Sequence, residues 1–101
     1  MADKDYTVTV AKDLEDLIPV FIKNRQKELE SLRAALNAAD FEALRQLGHR
    51  MKGVGSSYGF QHVSVLGKRI EDGARSADRS SIEDCVADYA SYLSKITIVY
   101  E

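Results

Sequence analysis

Apolar residues recur at three- and four-residue spacing along most of the chain, which is the signature of helices that bury one face. Phe21, Ile22, Leu29, Leu32, Ala35 and Leu36 form such a stripe over residues 19–38, and Lys23, Arg25, Lys27, Glu28, Glu30 and Arg33 clothe the other side. Leu44, Leu47, Gly48, Met51, Val54 and Gly55 form a second stripe over residues 40–58. Val63, Leu66, Gly67, Ile70 and Ala74 form a third over 61–77, and Ile82, Cys85, Val86, Tyr89, Leu93 and Ile96 a fourth over 81–98. A shorter stripe of Leu14, Leu17 and Ile18 predicts a helix over 11–18. It stops at Pro19, because proline is tolerated in a helix's first turn and not inside one.

Capping residues mark the ends of these segments. Asp40 is placed to cap the helix over 40–58, Gly59 to end it in the left-handed conformation, and Ser80 or Ser81 to cap the last helix. Glycine within a helix costs up to ~1 kcal/mol relative to alanine, so Gly67 predicts a close approach to a neighbour. Thr7-Val8-Thr9-Val10 alternates in the manner of a strand, but with no second strand to pair with it is read as part of an extended lead-in over 1–10. Residues 1–5 read as a frayed terminus. Ile98-Val99-Tyr100 is β-branched and aromatic, which leaves the end of the last helix the least defined boundary. The prediction is an all-α fold: an antiparallel up-down-up-down four-helix bundle with a short N-terminal capping helix.

Composition narrows the picture. A chain of 101 residues is one domain, and at that size it buries roughly 60–70% of its unfolded surface. No apolar run approaches the ~20 residues of a membrane span, and MADKDYTVTV has no signal-peptide character. The expected location is cytoplasmic. The lone Cys85 sits at helical spacing with Ile82, Val86 and Tyr89 and reads as a buried hydrophobe. A net charge of −2 gives no broad attraction to nucleic acid. Its distribution is uneven: from Ala43 to Ile70 there is no acid, while Arg45, Arg50, Lys52, Lys68 and Arg69 are all basic. Such a window is either a solvated face or a docking surface for an acidic or phosphorylated partner.

Within that window His49 falls opposite the apolar stripe. Arg45, Lys52 and Ser56 share its solvent side, and Gly53 lies one turn on. An exposed imidazole between cations, beside a residue with no side chain, is the layout of a nucleophile with help in binding phosphate. His62, separated from it by twelve residues with no cysteine between, is a poor match to metal-ligand spacing and reads as a helix-start residue. No metal site is predicted. The glycines and serines of residues 53–59 lack a P-loop's Gly-x4-Gly-Lys-Ser/Thr order, and no Ser-His-Asp or paired-carboxylate site is evident.

The spacing of His49, Lys52, Gly53 and Gly59 resembles the histidine-containing phosphotransfer (HPt) domain. The likeness extends to Phe60, to Leu66-Gly67-x-x-Ile70-Glu71, and to Asp13-Leu14-x-x-Leu17-Ile18-Pro19-x-Phe21, nearly the whole chain. It implies that His49 accepts a phosphoryl group on Nε2 from an aspartyl phosphate and passes it to another. It implies further that Lys52 screens the phosphoryl oxygens, and that Glu71, where relatives carry Gln or Glu, bonds Nδ1–H and orients the ring. Gly53 would leave room for the partner's loop. The docking face would comprise Arg45, Gln46, Arg50, Gly53, Ser56 and Lys68 around His49. The implied partners are receiver domains of response regulators or hybrid histidine kinases, and these would supply Mg²⁺. The chain itself would be a monomeric phosphocarrier without autonomous catalysis or a cofactor. Two alternatives are a non-phosphorylated helical adaptor that binds an acidic protein through the same basic face, and a detached phosphorylation module of a chemotaxis-type kinase.

Overall fold

Four helices, each bounded by a recognisable stop, account for most of the computed structural model, which describes residues 6–101. The expectation for residues 1–5 lies outside the described residues. Helix α1 spans Ile18–Asn37, α2 Phe41–Tyr58, α3 Gln61–Arg75 and α4 Arg79–Lys95. Connections of two or three residues force sequential helices to run antiparallel, and the result is the predicted four-helix bundle.

Two of the three connections use one device. An alanine in the left-handed region, Ala39 (φ 52°) or Ala77 (φ 53°), stops the incoming helix. The aspartate that follows, Asp40 or Asp78, accepts a hydrogen bond from the backbone N–H three residues on, at 3.1 Å from Ala43 and 3.2 Å from Ser81. Asp78, not Ser80 or Ser81, therefore caps α4, and α3 stops two residues short of the expected 77. Between α2 and α3 the turn is made by Gly59 (φ 84°), and the Phe60 N–H returns to the Gly55 carbonyl at 2.8 Å.

The inward stripes meet in one core. Ile18, Phe21, Leu29, Leu32 and Leu36 of α1 pack with Leu44 and Met51, with Val63, Leu66 and Ile70, and with Ile82, Cys85, Val86 and Tyr89. Fully burying one such aliphatic or aromatic side chain stabilises the fold by about 1.5–3 kcal/mol. Phe60 stacks on Phe21 and Tyr58 lies tilted against it, with ring centroids 4.6 Å apart in each pair. Cys85 is buried, and that burial pushes its thiol pKa up.

The ends of the chain depart from expectation. Ile96 turns extended (φ −64°, ψ 135°), so α4 stops at Lys95 and not at 98. The β-branched and aromatic run after it forms strand β2, Thr97–Tyr100, which pairs in parallel with β1, Thr7–Val10, in the register Thr7↔Thr97 to Val10↔Tyr100. The lead-in is thus, from Thr7 on, half of a two-stranded sheet clasping the two ends. No hairpin signal could reveal it, since the partners stand at opposite ends of the sequence. The expected helix over 11–18 is a 3-10 segment, Lys12–Leu17, and α1 starts at Ile18 with Pro19 in its first turn. Among the described residues no helix is long and apolar enough to cross a membrane.

Candidate functional site

Helices α2 and α3 touch backbone to backbone, and this contact builds the site. A methyl group on Gly67 would stand 2.6 Å from the Lys52 N and the Met51 Cβ, and one on Gly48 would stand 2.7 Å from the Glu71 N and the Gly67 carbonyl oxygen. Each glycine admits the other helix. The approach is reinforced by Ser64, whose hydroxyl donates to the Lys52 carbonyl at 2.7 Å. The sequence reading placed both glycines on inward stripes but did not identify Ser64.

This closeness brings Glu71 of α3 under His49 of α2. The carboxylate is almost wholly buried, 2% exposed, although it stands on a helix otherwise rich in surface polar residues. Its Oε2 lies 2.9 Å from His49 Nδ1, and its Oε1 accepts from Lys52 Nζ at 3.0 Å. The hydrogen bond from Lys52 holds the Glu71 carboxyl below the usual carboxylate range; burial opposes this, and His49 and Arg75 add to it. An ionised carboxylate can only accept, so Nδ1 is the ring's donor to Glu71, and in the neutral imidazole the lone pair then lies on Nε2. The His49 side chain is 64% exposed, with Nε2 on the side of the ring away from Glu71.

The other predicted residues divide. Gly53 and Ser56 are exposed, and a methyl on Gly53 would meet nothing within 4 Å. Ser56 is within hydrogen-bond reach of the Ser64 hydroxyl at 3.1 Å, so it belongs to the α2–α3 seam as well as to the surface. Gln46 and Arg50 are exposed; burial raises the pKa of Glu28 of α1, and the charge of Arg50 is near enough to offset part of that rise.

The basic window is less basic in space than in sequence. Arg45 is paired with Glu42 through two hydrogen bonds of 2.7 and 3.0 Å, Lys68 with Asp72 at 3.1 Å, and Lys52 with Glu71. Each acid lies just outside the stretch that lacks them. Arg75, which the sequence reading passed over, also contacts Glu71, with Nη2 3.3 Å from Oε2. Its signal was legible, because position 75 is one turn beyond 71 on the same helix face.

The site is an open surface. A cleft of about 270 Å³ lies between β1 and the Gly59–His62 corner, and none of the predicted site residues lines it. His62 sits there in an aromatic cluster with Tyr6 and Tyr92, centroids 5.2 and 4.7 Å away, and within reach of Asp88. Among the described residues no cluster of three or more His, Cys, Asp or Glu could hold a metal ion.

The family model described as the Hpt domain matches residues 16–96. The chain belongs to the Hpt domain family. No match was found among curated proteins or solved structures. Hpt domains are phosphocarrier modules of two-component phosphorelays, and they interact with receiver domains and histidine kinases. The match runs from the 3-10 segment through α4 and leaves β1 outside it.

Proposed function

We propose that this Hpt domain is a phosphorelay intermediate whose His49 carries a phosphoryl group between receiver domains. The observation that carries this reading is the imidazole itself: exposed, with Nδ1 held 2.9 Å from a buried carboxylate and Nε2 free on the other side. That arrangement fixes the nucleophilic tautomer before a partner arrives. Lys52 stands on the same carboxylate with three N–H donors and only one used there, so it can reach a phosphoryl group on the neighbouring ring without releasing Glu71. Gly53, one turn on, leaves the ring open on that flank.

The division of labour follows. The Hpt domain supplies a positioned nucleophile on a rigid helix, and the receiver supplies Mg²⁺ and its own acidic pocket, so that in-line geometry and charge neutralisation do most of the catalysis. Arg45, Gln46, Arg50, Ser56 and Lys68 surround His49 as the docking face. Three of the cations near the ring, Arg45, Lys52 and Lys68, are already paired with carboxylates, which suits a transient partner that must leave again. An adaptor would have no use for the unfilled space at Gly53.

Incubation with a panel of phosphorylated receiver domains tests the proposal. The native protein should acquire an acid-labile, base-stable label, and His49→Gln should acquire none. Label that survives this substitution would move the acceptor elsewhere.

A further inference from the structure

Glu71 has one more basic partner than an acid that only orients an imidazole would need. Its Oε1 accepts from Lys52, while Oε2 accepts from His49 Nδ1 at 2.9 Å and from Arg75 Nη2 at 3.3 Å. The Arg75 side chain is 59% exposed, and Nη1 is held only loosely, 3.9 Å from Asp72 Oδ1. A guanidinium at the rim of the site therefore shares the very oxygen that holds the ring.

We propose that Arg75 is a positioning residue that limits how much of the Glu71 charge reaches His49, and so sets the lifetime of the phosphorylated ring. This rests on the phosphocarrier reading above. When Nε2 attacks, its lone pair forms the N–P bond, and the donor's P–O bond breaks with its electron pair leaving on the donor carboxylate. The ring keeps its Nδ1 proton and becomes a cation. Release reverses the step: the N–P pair returns to Nε2, the phosphoryl group passes to an oxygen of the acceptor carboxylate or of water, which then sheds a proton to solvent, and the ring is neutral again. The cationic ring is thus the form ready to release, and a carboxylate on Nδ1 favours it. Arg75 opposes that twice, by drawing on Oε2 and by placing its own positive charge nearby.

Among the described residues, other charged groups on the same two helices are Arg45, Glu42 and Lys52 of α2 and Lys68 and Asp72 of α3, with Arg50 near Glu28 of α1. None of them bonds Oε2.

Phosphoramidate phosphorylates an exposed imidazole without a partner protein, so it can load the native protein, Arg75→Gln, Arg75→Lys and Glu71→Gln alike. Mass spectrometry locates the phosphate on His49, and its loss is then followed across pH. The Arg75→Gln profile should move to higher pH by about half a unit, the effect of one screened charge at a partly exposed site, shortening the half-life near neutrality about threefold. Arg75→Lys should stay near the native profile, and Glu71→Gln should move the opposite way. Superimposable native and Arg75→Gln profiles, or a shift to lower pH, would overturn the role of Arg75 and leave the carrier intact. A native His49 that takes no phosphate would overturn the carrier reading and this inference with it.

Discussion

Gly53→Ala separates the demands of the fold from those of the chemistry. The added methyl meets nothing within 4 Å, so the folded state neither gains nor loses a contact. What remains is the backbone: position 53 lies inside α2, five residues before its last. Replacing a helical glycine there by alanine stabilises by about 0.5–1 kcal/mol, because the unfolded chain has less freedom to lose. For a domain of this size that is about 3–6 °C in Tm. The same methyl stands on the open surface one turn beyond His49, where the proposed function has a receiver's loop come within bonding range. If it holds the reacting atoms back by about 1 Å, transfer slows on the order of a hundredfold. The expected result is a protein that melts higher by circular dichroism and accepts phosphate more slowly from a phosphorylated receiver. Transfer at the native rate would show that the gap is not used in docking. A lower Tm would show that the glycine is structural after all.

Gly67→Ala should behave in the reverse way, forcing α2 and α3 apart at backbone atoms 2.6–2.7 Å from the new methyl; overpacking of this kind costs about 1–3 kcal/mol, visible as a lower urea midpoint. Glu71 contributes a pH dependence of definite sign. Its folded-state pKa is lowered, so it adds stability above the ordinary carboxylate pKa and loses it as pH falls through the lowered value. The gap in urea stability between the native protein and Glu71→Gln should therefore close as pH drops below about 4. Burial pushes Tyr92 up to about 12 from 10.0, so its contribution is complete below pH 10 and is lost as pH rises through about 12; phenolate absorbance should show it still protonated at about pH 11. Ala77→Gly should stabilise by about 0.5–1 kcal/mol in thermal melts, since φ 53° strains alanine and not glycine.

The bundle was legible because its signals are local. Each stripe has its period, Asp40 and Gly59 announce their caps, and Gly67 on an inward face announces a close neighbour. What escaped was non-local. Thr7–Val10 has the alternation of a strand, yet its partner lies ninety residues away in register, at Thr97–Tyr100, so nothing between them could indicate pairing. The site was legible to the same degree. His49, Lys52 and Gly53 stand within one turn and a half of one helix, whereas the burial of Glu71 depends on how far α3 sinks against α2. Charge misled for a related reason. The acid-free stretch from Ala43 to Ile70 is flanked by Glu42, Glu71 and Asp72, and folding returns these to the cations they appear to have been separated from.

The parallel strands have a mechanical consequence. Force applied to the start of β1 and the finish of β2 would pull the two in opposite directions along their common axis, because they run the same way. The backbone bonds from Thr97 to Tyr6 and from Glu101 to Val10 would be sheared together instead of unzipping one by one. A tug between the termini would thus meet its resistance at this clasp before it strained the α2–α3 seam beneath His49.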